Sequence, residues 1–432
     1  HNLNSVLSLN GALHYTKGKG YYEESKEGQS LSAYGIPDFD QNGETISESD
    51  LVRRRWLDND FYGFTYSLNY NPGKIKYTLG GAYNEYDGKH FGEVISTPYS
   101  QIATGNHYYD GTGFKTDFNV FGKADLQLNQ LNLFADLQYR RIGYTIGGTD
   151  KNRNQLSEKD QLDFFNPKVG LSYQLNDASN IYASFAVANK EPNRDDYINA
   201  LGSNKPVSEN LKDVEAGFRS RSESLSTALN VFGMFYKNQL VLTGKVNDVG
   251  EYIRQNVPDS YRLGVEANGK LQINAKTDWS LSAALSSNKV KYYTEFADDY
   301  DNGGQLEFNY KNTDLAFSPS FVASSELSLK PIKKVEISLL SKYVGKQYLD
   351  NTSKSDRSLN SFFVNDLRLS YNTRFKQLKN IGITLLANNI FGEVYESNGY
   401  TFSYLYGGDY TTENYYYPQA KQNFLLSLSV KF

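Results

Sequence analysis

A period of two runs through this chain almost from end to end, and no other feature limits its fold as strongly. The final segment, Phe424 to Phe432, places Phe424, Leu426, Leu428, Val430 and Phe432 in one register and Ser427, Ser429 and Lys431 in the other. Successive side chains of a strand point to opposite faces, so each such segment has one apolar and one polar side. The pattern recurs at Tyr62, Phe64, Tyr66, Leu68 and Tyr70, set against Gly63, Thr65, Ser67 and Asn69. It appears again at Ile75, Tyr77, Leu79 and Tyr83, at Leu133 to Tyr139, and at Val169, Leu171, Tyr173 and Leu175. Near the start, Leu7, Leu9, Leu13 and Tyr15 alternate with Ser8, Asn10 and His14. Strands of soluble sandwiches average about five or six residues. Several of these segments reach roughly ten, the length a tilted strand needs to cross a bilayer.

The connections add a second regularity. Short Asn, Gly, Pro, Ser and Lys clusters of the kind that close hairpins occur at Asn71-Pro72-Gly73-Lys74, Asn129-Gln130 and Asn176 to Ser179. Others fall at Ser222 to Ser224, Ala275 to Thr277, Pro331 to Lys333 and around Lys376 to Lys379. Long polar loops are expected near residues 16–52, 89–113, 147–162, 190–209, 242–258, 297–312, 350–358 and 398–417. Alternation of short and long connections is the habit of outer-membrane barrels. The expected fold is therefore all-β: a transmembrane antiparallel up-and-down β-barrel of about sixteen strands, with residues 1–432 as one domain.

Composition supports that reading. The chain carries 36 Tyr and 25 Phe but only 2 Trp, which suits strands and interfacial girdles. Mean hydropathy is −0.60, and no apolar run is long enough for a membrane helix. A barrel tolerates such polarity because only alternate residues meet lipid. The absence of cysteine removes disulfides, thiolate metal sites and cysteine nucleophiles. A net charge of −4 gives no electrostatic footing for nucleic acid. His1 is followed by no charged-then-apolar leader.

Four motifs carry a family resemblance. Leu386-Ala387-Asn388-Asn389-Ile390-Phe391-Gly392-Glu393-Val394-Tyr395 resembles the penultimate strand of TonB-dependent outer-membrane receptors of the Bacteroidetes type. Phe165-Asn166-Pro167-Lys168-Val169-Gly170-Leu171-Ser172-Tyr173 followed by Ile181-Tyr182-Ala183-Ser184-Phe185-Ala186 is similar to a hairpin of that family. Tyr261 to Glu266 and Phe317 to Ser320 resemble two further strands, and Phe432 fits the terminal signal for barrel assembly. The resemblance implies a plug domain ahead of a wall of about 22 strands, and an energy-coupling box that meets the TonB complex. Neither plug nor box is found here, and about sixteen strands is about six short of such a wall. The favoured expectation is the C-terminal barrel portion of a receptor lacking the plug and first strands; a complete passive porin of about sixteen strands is the other.

Enzymatic motifs are missing: there is no nucleophile elbow, His-Glu-x-x-His pair or phosphate loop, and only four histidines occur. His90 and His107 fall in one expected loop beside Tyr108 and Tyr109. They are read either as ligands to haem iron or as solvated loop residues, the second being favoured. Asp298-Asp299-Tyr300-Asp301 suggests calcium or a plain acidic turn; the closing Glu of a calcium loop is absent, which favours the turn. Arg53-Arg54-Arg55-Trp56 is read as a basic rim, with lipid phosphates or an anionic ligand as the functional reading. If Arg140 and Arg141 both lie within a strand, one of them is expected to face the lumen, selecting anions or pairing with plug carboxylates; Arg140 is carried as the candidate.

In the last expected loop, Tyr404, Tyr406 and Tyr410 suit ligand contact, with an interfacial girdle as the competing reading. Tyr415 to Tyr417 fit the girdle better. The candidate ligand-binding residues are thus Tyr404, Tyr406, Tyr410, Tyr108, Tyr109, His107 and Arg140, with no cofactor and no metal site of the chain's own. The resemblance implies uptake of a scarce ligand, most simply a ferric siderophore, with haem, cobalamin or another nutrient as alternatives. The partners it implies are the plug and remaining strands, the TonB complex, outer-membrane lipid and a surface lipoprotein. Its location would be the outer membrane of a Gram-negative bacterium.

Overall fold

The computed structural model describes residues 1–200, 205–247, 250–375 and 378–431. Phe432, with its assembly signal, and Lys376 of an expected turn lie outside the described residues. The chain falls into two compact units: residues 1–127, 134–168 and 191–206, and residues 128–133, 169–190 and 207–432.

In the first unit β1 (Leu7–Ser30) leads through a 3-10 turn to the small hairpin β2 (Phe39–Gln41) and β3 (Glu44–Ile46). Then follow β4 (Glu48–Tyr70), β5 (Ile75–Ser96), β6 (His107–Leu128), β7 (Leu131–Thr149) and the start of β8 (Gln155–Asn176). β1, β4, β5 and β6 pair antiparallel in that order. The register sets Leu9 opposite Leu68, Leu68 opposite Leu79, and Leu13 opposite Phe64, which faces Tyr83. One face therefore carries an uninterrupted apolar field, the arrangement that makes a strand fit lipid.

The second unit takes in the β6–β7 turn at 128–133, the end of β8 and β9 (Ser179–Lys190); a short helix, α1 (Arg194–Asn199), belongs to the first unit. The run continues with β10 (Glu209–Arg221), β11 (Leu225–Val246), β12 (Tyr252–Asn274), β13 (Thr277–Asp299) and β14 (Gln305–Asp314). Next come β15 (Phe321–Ile332), β16 (Val335–Val344), β17 (Gln347–Tyr348), β18 (Ser358–Leu359), β19 (Phe362–Phe375) and β20 (Leu378–Asn388). The last three are β21 (Glu396–Tyr406), β22 (Asp409–Pro418) and β23 (Asn423–Lys431). β13 is shared along its length: β15 pairs with Thr277–Leu285, and β14 with the far end from Lys289 to Asp298. β20 pairs with β23, so the hairpin β21–β22 stands outside that ladder.

Among the described residues 19 strands belong to the main sheet. Setting aside β14, β21 and β22 leaves the set of about sixteen that alternation predicts. Six of the seven short turns fall between strands as expected, at 71–74, 129–130, 176–179, 222–224, 275–277 and 331–333. The lengths differ from expectation. β1, β4 and β5 run for 24, 23 and 22 residues, about twice what a crossing needs. Most expected long loops are strand: β5 continues to Ser96 and β6 starts at His107 inside the span 89–113, and 398–417 is the β21–β22 hairpin. Beyond the bilayer both faces meet water, so hydrophobic contrast fades from the sequence while backbone pairing persists.

Two motif assignments change. Phe317–Ser320 is a connection rather than a strand, with Phe317 at φ 49° and its amide donating to the Tyr348 carbonyl at 2.9 Å. Asn389-Ile390-Phe391 lies in the turn after β20. Asn389 is buried, takes the Glu393 amide at 2.9 Å on Oδ1, and donates from Nδ2 to the Glu393 carbonyl at 2.8 Å. The residue is a turn lock, which explains an Asn at that point of the motif.

The apolar field is bared to the surroundings: Leu13 is 87% exposed, Phe424 73% and Leu426 71%. A row of Tyr15, Tyr62 and Tyr83 ends the field in the first unit, their hydroxyls donating to Asp60 and Glu85. Such a border of amphipathic rings marks the interface between hydrocarbon and headgroups. Leu79→Arg, placed in the middle of this field, is expected to lower unfolding stability in lipid by about 2–4 kcal/mol, whereas Ser67→Arg on the opposite face costs under about 1 kcal/mol. Urea titration of the refolded chain in vesicles checks both.

Candidate functional site

Past the tyrosine border the strands are held by buried charge clusters alongside small apolar ones, such as Val241, Val257, Val290 and Leu315. In the second unit Arg357, in the connection between β17 and β18, is 1% exposed. Its Nη1 donates to Glu295 Oε1 at 2.5 Å and to Asp350 Oδ2 at 2.8 Å. Its Nη2 donates to Ser403 Oγ at 2.8 Å and Thr412 Oγ1 at 3.1 Å. Glu295 also accepts from Tyr310 at 2.8 Å and Tyr410 at 3.2 Å. One guanidinium thus joins β13, the 350–357 connection and both strands of the β21–β22 hairpin. Burial pushes the Glu295 carboxyl up, but Arg357 and the Tyr310 hydroxyl outweigh it and hold the group below its ordinary range.

The hairpin tip is fastened separately. Gly407 and Gly408, at φ 60° and 81°, form the two-residue turn that positive φ at both positions demands. Both amides donate to the Asp301 carboxylate at 2.7 Å. Asp299 in turn accepts from the amides of Asp301 and Asn302 at 3.0 and 2.9 Å. The acidic run is therefore a turn that grips the hairpin. Among the described residues no group of three His, Cys, Asp or Glu is arranged to hold a metal ion.

The three hairpin tyrosines occupy different positions. Tyr404 donates to Glu413 at 2.7 Å and meets Tyr300 edge-on at 5.8 Å. It continues a row of rings in which Tyr400 and Tyr415 stack at 4.8 Å and 9°. Tyr410 points to the other face, onto Glu295 and Arg357. Tyr406, at the tip, is 69% exposed. Tyr410 belongs to the latch, and Tyr406 is the ring left open to solvent.

The first unit repeats the scheme. Arg53 donates to Glu24 at 3.0 Å and to the Tyr34 hydroxyl at 2.9 Å; Arg55 donates to the Tyr108 hydroxyl at 3.2 Å. Tyr34, Tyr108 and Tyr109 pack with Leu51 and Val94, so Tyr108 and Tyr109 are buried on β6 rather than free in a loop. Burial pushes both hydroxyls up. Of the three arginines only Arg54 sits on the outer face, over the Tyr21 ring at 4.3 Å. The expected basic rim is thus mostly internal, because alternation sends Arg53 and Arg55 inward. His107 opens β6, stacks on Phe91 at 4.1 Å and bonds Asp110 at 2.8 Å. His90 lies on β5. Of the Arg140-Arg141 pair, Arg141 is half exposed on Asp163, and Arg140 is clamped by Asp117 and Glu191, with Nε to Asp117 Oδ1 and Nη1 to Glu191 Oε2 both at 3.0 Å.

The candidates therefore divide by unit: Tyr108, Tyr109, His107 and Arg140 in the first, Tyr404, Tyr406 and Tyr410 in the second. Sequence reasoning missed Arg357, Glu295 and Asp350, which no spacing connects. It also missed α1, whose signal was present: Asn193 and Asp196 form a reciprocal capping box.

Long antiparallel strands with a lipid-facing apolar row, an interfacial tyrosine border and charge-locked external ends define an outer-membrane β-barrel. The sequence matches the family described as TonB dependent receptor-like, beta-barrel over residues 1–390, and the chain belongs to that family. It is a family of receptors and transporters located in the outer membrane of Gram-negative bacteria. Among solved structures, the siderophore receptor PiuA from Acinetobacter baumannii is 14% identical with a TM-score of 0.68, over 99% of this chain and 62% of its own. The Ferric-Catecholate import receptor Fiu from K12 E. coli, closed form, gives 13% and 0.64, over 99% and 62%. Copper transporter OprC gives 13% and 0.70, over 99% and 63%. The chain thus spans about three fifths of the length of these neighbours. No curated protein matches the sequence significantly.

Removing Arg357 leaves two buried carboxylates without their cation, a change that costs about 3–5 kcal/mol. Arg357→Ala is expected to abolish hydrogen-exchange protection across 398–417 while leaving β4 and β5 protected; unchanged protection of the hairpin would refute the latch. The pH dependence follows from the lowered Glu295 group. Its stabilisation is fully present above the ordinary carboxyl value of 4.5 and is lost as pH falls through the lower folded value. Hairpin protection should be flat from about pH 7 to 5 and decline below about 4.5.

Proposed function

We propose that residues 1–432 are the barrel portion of a TonB-dependent receptor that imports a scarce ligand, an iron chelate of the ferric siderophore type. The observation that carries this reading is the order of the external ends, where a buried arginine holds the strands of a tyrosine-rich hairpin in one arrangement. Preorganisation spares the ordering cost of binding, which a high-affinity receptor needs and a passive porin does not. Tyrosine supplies a flat apolar face and a hydroxyl at low entropic cost, matching the rings and oxygens of such chelates. Tyr406 and Tyr404 are the proposed contacts. Within the second unit Tyr410 supports the surface they form; Tyr108, Tyr109, His107 and Arg140 are proposed as a separate set within the first unit.

The names of the neighbours favour iron: a siderophore receptor and a ferric-catecholate import receptor. The copper transporter keeps a second reading open, in which the same fold takes up another nutrient such as haem or cobalamin. The proposed partners are a plug and further wall strands, the TonB complex, outer-membrane lipid and a surface lipoprotein. Deleting the locus and growing cells on single iron sources tests the assignment: growth should fail on at least one ferric chelate, and unchanged growth on every siderophore and on haem sinks it. In the full-length receptor Tyr406→Ala should weaken binding of that chelate about 5- to 30-fold without changing the melting temperature.

A further inference from the structure

Arg53, Arg140 and Arg357 each meet at least one carboxylate within 3.0 Å. Arg194 does not. Its side chain is 15% exposed, and the carboxylate recorded for it is Asp195, 3.6 Å away and itself 43% exposed. Its Nε is buried without a hydrogen-bond partner, and so is His90 Nε2. Burial pulls the Arg194 guanidinium below its ordinary value, with His90, Tyr86, Tyr109 and Tyr144 in electrostatic reach. An arginine stays charged at such a site, and the half-exposed Asp195 carboxylate at 3.6 Å compensates the cation only in part.

The position is built and not accidental. The capping box of α1 sets the backbone, with Asp196 N donating to Asn193 Oδ1 at 2.8 Å. Tyr197 is buried with Ile146 and Leu156 and donates to Asp160 at 2.8 Å. The guanidinium lies across β6 at two glycines. A methyl at Gly111 would stand 2.9 Å from Nη2, and one at Gly113 3.4 Å from Cδ. Glycine on a strand marks a close approach, here of the guanidinium itself. Gly111 pairs with His90, and Tyr86 lies on the same inward register of β5. A fork of donors, an unpartnered imidazole nitrogen and three tyrosine hydroxyls therefore converge on one face.

We propose that Arg194, with Tyr86, Tyr109 and Tyr144, is an anion subsite that takes a carboxylate of the imported chelate through the Nε–Nη fork. This deepens the import reading and rests on it. A carboxylate supplied by another part of the receptor has the same chemistry, and the test separates the two sources.

The full-length receptor in nanodiscs is treated with phenylglyoxal, and modification of Arg194 and of Arg54 is followed by mass spectrometry. Sodium citrate and ferric citrate should slow modification of Arg194 at least fivefold and leave Arg54 unchanged. An equal Arg194 rate with and without citrate overturns the subsite. An Arg194 that never reacts is closed to anions from solution, by its own burial or by another part of the receptor, which overturns the ligand assignment. Slowing by inorganic phosphate alone overturns the carboxylate class. In a second measurement Arg194→Gln should weaken ferric citrate binding about tenfold or more, leave a carboxylate-free ferric tris-catecholate unaffected, and not lower the melting temperature. Loss of melting temperature would make Arg194 a structural residue instead. If neither chelate binds the unmodified receptor, the iron reading fails, while protection by citrate still decides the subsite.

Discussion

Inside hydrocarbon no water is available to a backbone amide or carbonyl, so each must find its partner in the chain. The architecture follows from that requirement. Segments must be long, register must hold residue by residue, and neighbours must be antiparallel so that tight turns can join them. The β1–β4–β5–β6 ladder meets this demand with paired residues from Leu7 opposite Tyr70 outward. Once the hydrogen bonds are fixed, side chains are free to specialise by face. Leu13, Leu68 and Leu79 meet lipid, and the alternate positions carry charge and hydroxyls.

Above the membrane the same ladders continue under different physics. There, small buried apolar clusters such as Val241, Val257, Val290 and Leu315 are joined by arginines surrounded by carboxylates and phenols. Arg357 with Glu295 and Asp350, Arg53 with Glu24, and Arg140 with Asp117 and Glu191 share this form. Buried pairs of this sort contribute little net stability against an apolar alternative but make the loss of one partner expensive. They fix geometry, as a binding surface requires.

Much of the wall was legible because it obeys two local rules. Period-two patterning at Tyr62 to Tyr70 and turn chemistry at Asn71 to Lys74 survive in isolation from the rest of the chain. The extensions were not legible for a definite reason. At Lys89 to Ser96 neither face is reserved for lipid, so the alternation carries little contrast although the strand persists. The site was harder still. Arg357 looks like any loop arginine until β13 brings Glu295 beside it, and Arg53 to Arg55 read as one basic cluster although pleating divides them between two faces. The Asn193–Asp196 cap was visible in the sequence and outweighed by the polar look of residues 190–209.

The grip of Asp301 on Gly407 and Gly408 bridges 106 and 107 positions of sequence. Closing so long a loop is entropically costly, and such contacts form only after intervening structure has brought their ends together. β15, β16, β19 and β20 all lie within that interval. The tip of the β21–β22 hairpin therefore docks late in folding, when the neighbouring wall already stands. A chain stalled in assembly would have its strands paired and its tyrosine-bearing cap still loose, so an intact cap reports that the second unit has finished folding.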